Sequence, residues 1–356
     1  MMEPRQLLQR MVELESPTGD VARMAHIRSF LEAELASLGG TVGEHGQHLT
    51  AEFGTPAPGE TLALMAHMDT VWPAGTLSRM PFRVDGDLAH GPGSLDMKGG
   101  IVVMLEAIRR ASPLRRPVSV LVTADEEIGS PSGRPLVEEL AARSRAVLVV
   151  EPPVRDGTIT TQRSGLARYQ LWVRGQAAHA GHQGGGISAV TELAHQTLAL
   201  MRLVDPVRGV RVNVGQVAGG TGDNVVAAEA WARIDARAWT SPDQAKLEAA
   251  IRGLRPMLDG AVLEVSGGIT RPPMIRSDES AELAGRAIEI ARGLGQPLAE
   301  NASGGGSDGN FAAAVGAPVL DGLGPTGAGA HADDERVSLR SIDQRSDLLA
   351  ALIEQL

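Results

Sequence analysis

The sequence predicts an α/β protein in which a mostly parallel sheet carries helices on both faces and an α+β domain is inserted into it. Two patterns carry this prediction. Between residues 61 and 150, short apolar runs alternate with amphipathic helical segments, as parallel strands joined by crossover helices do. From about 165 the order changes to β-α-β-β-α-β, the succession of a ferredoxin-like α+β unit. The first pattern resumes near 272. The expected organisation is one domain in two parts, 1–164 and 272–356, around an insert at 165–271.

Residues 4–38 read as two helices. Pro4 suits a first-turn position, and Met24, Ile27, Leu31, Leu35 and Leu38 keep helical spacing until "GG" ends the run. A strand at 61–67, a helix at 99–111, a strand at 118–124, a helix at about 132–142 and a strand at 146–150 follow. In the insert, the strand "ARYQLWVRG" precedes a helix at about 187–203 and strands near 210–217 and 225–238. A helix at 242–255 and a strand near 261–266 complete it. The returning part holds a helix at 278–293, the loop "NASGGGSDGN", a helix from about 308 and a short strand before His331. No internal repeat is seen, and the glycine runs at 184–186 and 304–306 are too short for linkers.

A chain of 356 residues suits two domains of ordinary size, and 43% hydrophobic with 21% charged residues is the composition of a soluble globular protein. A net charge of −10 argues against nucleic acid, and 3% aromatics leave no stacking platform for bases. No apolar run approaches membrane-spanning length, and "MMEPRQLLQRMVE" has charges where a signal peptide needs an apolar stretch. No membrane association is expected, and the expected location is cytoplasmic. The lack of cysteine excludes disulfides and thiolate metal sites.

The most informative residues are acids and histidines at strand exits and in Gly-rich loops. His67 and Asp69 close "LALMAHMDTV", and Asp96 sits in "HGPGSLDMKGG". Glu126 and Glu127 follow "VSVLVTA", Glu151 ends "AVLVVEPP", and His331 lies in "GPTGAGAHADDERV". Folding does not need charges there, because buried carboxylates are costly unless paired or metal-bound. Ligands of such sheets gather beyond the carboxyl ends of the strands. A His/carboxylate set without cysteine is the ligand set of a hydrolytic divalent-metal site, with zinc the leading candidate and cobalt or manganese the alternatives. Asp69 lies two residues after His67, so on a continuing strand it shares the same side and can fix the imidazole tautomer. Asp96 also stands where an N-cap would, before "MKGGIVV".

These several, differently spaced motifs resemble those of the M20-family metallopeptidases. The resemblance is to the branch holding glutamate carboxypeptidase (carboxypeptidase G), succinyl-diaminopimelate desuccinylase and acetylornithine deacetylase, and it runs from the first helices to "HADDERV". It implies a zinc-peptidase-like catalytic domain and an insert that acts as lid and dimerisation surface, hence a homodimer. It implies two zinc ions per chain, with Asp96 bridging, His67 and Glu151 completing one shell, and Glu127 and His331 the other. Glu126 would be the general base, Asp69 the partner of His67, and Asp96–Met97 a cis peptide.

At the substrate end, Arg271 in "GITRPPM" matches the family's carboxylate-binding arginine, whose planar guanidinium forks onto a carboxylate. Gly306 and Ser307 in "SGGGSDGN" would present N–H groups to that carboxylate at a helix N-terminus. This loop has no Lys after it and is read as having no strand directly before it, so nucleotide binding is not expected. His179 in "GQAAHAGHQ" corresponds to the lid histidine that reaches the oxyanion across a dimer interface, and Asn224 in "GDNVVAAEA" to a lid asparagine near the same pocket. His90 and Ala227 depart from the family, which carries an aromatic and a proline there.

The implied function is hydrolysis of the amide bond to a C-terminal or N-acylated amino acid. The substrate would be a small peptide or N-acyl amino acid, with glutamate carboxypeptidase-like specificity favoured. Deacylation of the acetylornithine or succinyl-diaminopimelate kind is the alternative, because a shared metal site does not discriminate acyl groups. A catalytically silent dimeric binding protein would be expected to have lost a ligand or the base, and none is missing. A metal-storing scaffold would need neither Arg271 nor His179.

Overall fold

The computed structural model describes residues 2–182 and 185–356. Met1, Gln183 and Gly184 lie outside the described residues, and with them the last residue of "GQAAHAGHQ" and the first glycine of the 184–186 run. The chain divides into two compact units. One comprises Met1–Gln162, Arg276–Ser303 and Ser307–Leu356, the other Arg163–Ile275 and Gly304–Gly306.

The first unit is built on a six-stranded sheet in the order Thr41–His45, His48–Phe53, Val118–Thr123, Leu62–His67, Ala146–Val149, Val319–Leu320. The last four strands run parallel, and the first two form a hairpin that joins them antiparallel. Leu62–His67, Val118–Thr123 and Ala146–Val149 are buried at every position, which is why they read as unbroken apolar runs rather than alternating ones. The helix Gly99–Ala111 packs against Leu339–Gln355. Its Gly100 allows close approach to a strand exit: a Cβ there would stand 2.0 Å from the Val150 carbonyl oxygen.

Two smaller sheets join this unit. An antiparallel one has the order Gly327–Ala328, Arg336–Ser338, Leu88–His90, Arg83–Asp85. The sequence predicts only a strand before His331, because strands this short exist through pairing between residues as distant as His90 and Arg336. His90 ends one of these strands with its Nδ1 3.2 Å from Arg83. In the other sheet Ala299–Ser303 pairs with Thr158–Arg163. The loop read from 301 therefore begins as a strand, and the expectation of no strand before "GGGSDGN" is corrected. Its partner is remote in sequence, and Thr161 and Thr158 fix it by side-chain bonds to Glu300 and Asn301.

The second unit is an antiparallel sheet in the order Arg211–Gly219, Glu229–Ala238, Gly165–Arg174, Val262–Arg271, with the helices Ala189–Met201 and Ser241–Arg252. Tyr169, Leu171 and Val173 alternate inward to a separate core with Leu193, Ile234, Leu247 and Ile251. Ser188 and Thr240 each accept a backbone N–H at the start of these helices and so set where they begin. The strand expected at 225–238 starts only at Glu229, because 224–226 pair with 178–180 instead. The last strand runs on to Arg271 rather than stopping near 266. Among the described residues, no helix is long and apolar enough to cross a membrane.

Candidate metal centre

Three neighbouring parallel strands of the first unit end side by side and deliver their charged residues to one place. His67 is the last residue of its strand, opposite Thr123 in register. Glu126 and Glu127 open a single 3₁₀ turn, Glu126–Ile128, just after Val118–Thr123. Glu151 follows Ala146–Val149, and Val150 N–H still bonds back to Met65. Asp96 lies in the irregular turn Ser94–Lys98, whose Asp96–Met97 peptide is cis. His331 stands in a loop with a left-handed φ of 62°.

Asp96 sits at the middle. Its Oδ1 lies 3.2 Å from His67 Nε2 and its Oδ2 3.2 Å from His331 Nε2. His67 Nε2 is also 3.8 Å from Glu151 Oε1, and His331 Nε2 is 3.4 Å from Glu127 Oε1. Among the described residues, two groups could each hold a metal ion, His67–Asp96–Glu151 and Asp96–Glu127–His331, with ligand atoms within 4.8 Å of one another. They share only Asp96. The helix beyond it starts at Gly99 without a side-chain cap, so the N-cap expectation for Asp96 is corrected: its carboxylate is turned to the two histidines.

Asp69 is fully buried and serves several neighbours at once. Its Oδ1 lies 3.3 Å from His67 Nδ1, and its carbonyl oxygen lies 3.0 Å from the same nitrogen. Its carboxylate accepts the backbone N–H groups of Glu126 and Glu127, both at 3.2 Å, and the Thr18 hydroxyl at 2.8 Å. One carboxylate thus orients the imidazole and holds the turn bearing Glu126.

The electrostatics ask for a cation. Burial alone would lower the His67 pKa, yet hydrogen bonds to Asp69 and Asp96 and the charge of Glu151 hold it well above its usual value. Burial and the neighbouring Asp96 push Glu151 up. Burial would also raise Asp96, but the two histidines hold it below the usual carboxylate range. Hydrogen bonds to Asp96 and Glu127 raise His331 to about 10. A divalent ion would supply the countercharge that this cluster of carboxylates calls for, in place of protons on the two histidines. Glu127 Oε1 is buried and faces the His331 imidazole at 3.4 Å, where the two can share one ligand. Nitrogen and oxygen donors without sulfur suit zinc, cobalt or manganese. The residues present fit divalent ions.

Two supporting acids escaped the sequence reading. Asp308 accepts the Thr123 hydroxyl at 2.8 Å and the Ser130 hydroxyl, so it grips both ends of the segment carrying Glu126 and Glu127. Glu335 is buried and accepts N–H groups from the turn that carries Asp96. Each stands inside a motif already quoted, and for Glu335 only its burial separates it from the exposed Asp333 and Asp334 beside it. Ser307 departs from expectation: its N–H donates to Asn310 Oδ1 at 2.9 Å and its hydroxyl to Asp321. It anchors the turn, and the expectation that its N–H meets a substrate is corrected.

On the second unit, Arg271 is buried at 4% exposure. Gly306 makes room for it, since a Cβ there would stand 2.7 Å from Arg271 Cδ. His179 is exposed, and its Nδ1 accepts the Gly181 N–H at 3.0 Å, which leaves the other ring nitrogen to carry the proton. The segments of His179 and Asn224 are paired: Ala180 N–H donates to the Asn224 carbonyl at 2.9 Å, and His179 bridges Val225.

Residues 63–355 match the sequence profile of Peptidase family M20/M25/M40. The chain is 33% identical to carboxypeptidase G2 of Pseudomonas sp. (strain RS-16), covering 98% of this chain and 88% of that protein. It is 28% identical to a succinyl-diaminopimelate desuccinylase of Thioalkalivibrio sulfidiphilus, over 84% of each. Its fold is similar to that of a tripeptidase from Staphylococcus aureus subsp. aureus Mu50, with a TM-score of 0.81, 24% identity and coverage of 99% of this chain and 97% of that one.

Proposed function

Because the chain belongs to Peptidase family M20/M25/M40, we propose that this enzyme is a metal-dependent amidohydrolase that releases a C-terminal or N-acylated amino acid, with glutamate carboxypeptidase-like specificity. One observation carries the metal part of this reading: the two oxygens of Asp96 face two separate histidine–carboxylate groups. His67, Asp96 and Glu151 would hold one ion, and Asp96, Glu127 and His331 the other. Zinc is the ion proposed, with cobalt or manganese as alternatives; when bound, the pair would polarise the scissile carbonyl and lower the pKa of the attacking water.

Glu126 takes the water's proton at a carboxylate oxygen and passes it to the leaving amine nitrogen. Asp69 keeps Glu126 in place by bonding to its backbone rather than its side chain. Arg271 grips the substrate carboxylate with the Gly306 N–H beside it, and Gly306 also keeps the space the arginine side chain needs. His179, protonated on the nitrogen that Gly181 leaves free, donates to the oxyanion, with Asn224 beside it. The second unit then acts as lid and as the surface of a homodimer. Support for the dimer comes from its open edge strand Arg211–Gly219 and from Val190, Leu198 and Met201, exposed on Ala189–Met201.

A screen of N-acyl amino acids and dipeptides with the metal-loaded protein, read by amine release, tests the assignment. Peptides and acyl amino acids with a free α-carboxylate and a C-terminal glutamate should be cleaved best. Preference for N-succinyl or N-acetyl substrates of basic amino acids would favour the deacylase reading that the desuccinylase relative suggests. Arg271→Ala should lose about two to three decades of kcat/KM, from the 2–5 kcal/mol typical of a desolvated charge pair. A C-terminally amidated substrate should suffer a similar loss with the native enzyme, and the two lesions together should be less than additive. Equal cleavage of free-acid and amidated substrates would show that no carboxylate is read. His179→Ala should lower kcat by about 10²–10³-fold, with metal content unchanged.

A further inference from the structure

The loop that carries His331 and the turn that carries Asp96 are joined by one buried carboxylate. Glu335, 1% exposed, accepts N–H groups from Gly93 at 2.8 Å, Leu95 at 2.9 Å, Asp96 at 3.0 Å and the Trp72 indole at 2.7 Å. Strand pairing makes this convergence necessary. Leu88–His90 runs directly into the 91–96 turn, Arg336–Ser338 is entered from Glu335, and Arg336 lies opposite His90 in register. The Glu335 backbone adds a bond on each side: its N–H donates to the Ala332 carbonyl at 2.9 Å, and its carbonyl accepts the Gly91 N–H at 3.3 Å. A ligand-bearing turn and a ligand-bearing loop more than two hundred residues apart in sequence thus rest on the same side chain.

We infer that Glu335 is a positioning residue for the ion held by Asp96, Glu127 and His331, fixing Asp96 and His331 relative to each other through the N–H groups of Gly93, Leu95, Asp96 and Trp72. This rests on the two-ion reading above. The two groups depend on Glu335 unequally. His67 and Glu151 are set by adjacent parallel strands, Leu62–His67 and Ala146–Val149, which Glu335 does not touch. In the other group, two of the three ligands stand on segments that Glu335 holds. A carboxylate offers only acceptors to these four donors, whereas a glutamine amide would turn an NH₂ toward one of them. The neutral replacement also weakens the charge-assisted bonds that remain. Partners that orient metal ligands typically carry about 10–100-fold in metal affinity.

The test is a cobalt titration of the metal-free protein followed by absorbance, with thermal unfolding measured in parallel. The native protein should take up two ions in two steps. In Glu335→Gln one step should move to about 10–100-fold higher cobalt while the other moves far less. Trp72→Phe, which removes one donor and keeps an aromatic ring in place, should shift the same step by a smaller factor, and it decides the matter if Glu335→Gln does not fold. Glu335→Asp, which keeps the carboxylate, should recover part of the lost affinity. A lowered unfolding temperature with both steps unchanged, or with both shifted equally, would reduce Glu335 to a fold-stabilising group and overturn the inference. A single step in the native protein would instead overturn the two-ion reading, and this role with it.

Discussion

Asp96→Ala should bring hydrolysis down to the uncatalysed background, a loss on the order of 10⁶-fold or more. Asp96 is the one side chain common to both candidate ion groups, so its removal leaves each with two ligands. It also leaves His67 and His331 without their shared partner at 3.2 Å. The turn should survive, because the Asp96 backbone N–H remains bonded to Glu335. The check is kcat/KM and metal content on protein whose unfolding is still cooperative. Retention of both ions with substantial turnover would mean that Asp96 does not organise the site.

Glu126→Gln should lower kcat by about 10²–10⁴-fold while both ions stay bound, because an amide cannot accept the water's proton. The substitution is clean in this fold. The bond that sets the Glu126 turn runs from its backbone N–H to Asp69 Oδ1 at 3.2 Å, and the side-chain change leaves it intact. Glu127→Gln is the informative contrast. Glu127 Oε1 faces His331 at 3.4 Å, so its loss should release one ion as well as activity. Near-native turnover in Glu126→Gln would remove Glu126 from the base role.

The central sheet was legible because strands buried on both faces must be continuous apolar runs, and Leu62–His67, Val118–Thr123 and Ala146–Val149 are. Their exits were legible for a related reason: His67, Glu127 and Glu151 break such runs where a charge has no folding use. The hairpin Thr41–Phe53 was not read, since "TVGEH" is largely exposed and carries no apolar signal. The small sheet uniting Leu88–His90 with Arg336–Ser338 has three-residue strands whose partners lie far off, beyond any local pattern. Glu335 was hidden for the same reason. In "HADDERV" it follows Asp333 and Asp334, both exposed, and only pairing with a distant strand buries it. Asp96 and Ser307 were misjudged in detail because residue type suggests a cap or a donor, whereas actual partners decide it: two histidines for one and Asn310 for the other.

The central claim is that this fold gathers two divalent ions around Asp96, and elemental analysis of reconstituted enzyme during a zinc titration tests it most directly. Metal per chain and amine-release activity should rise together and level off at two ions, with Asp96→Ala retaining neither fully. Full activity at a plateau of one ion or none, or two ions still bound after Asp96 is removed, would contradict the account.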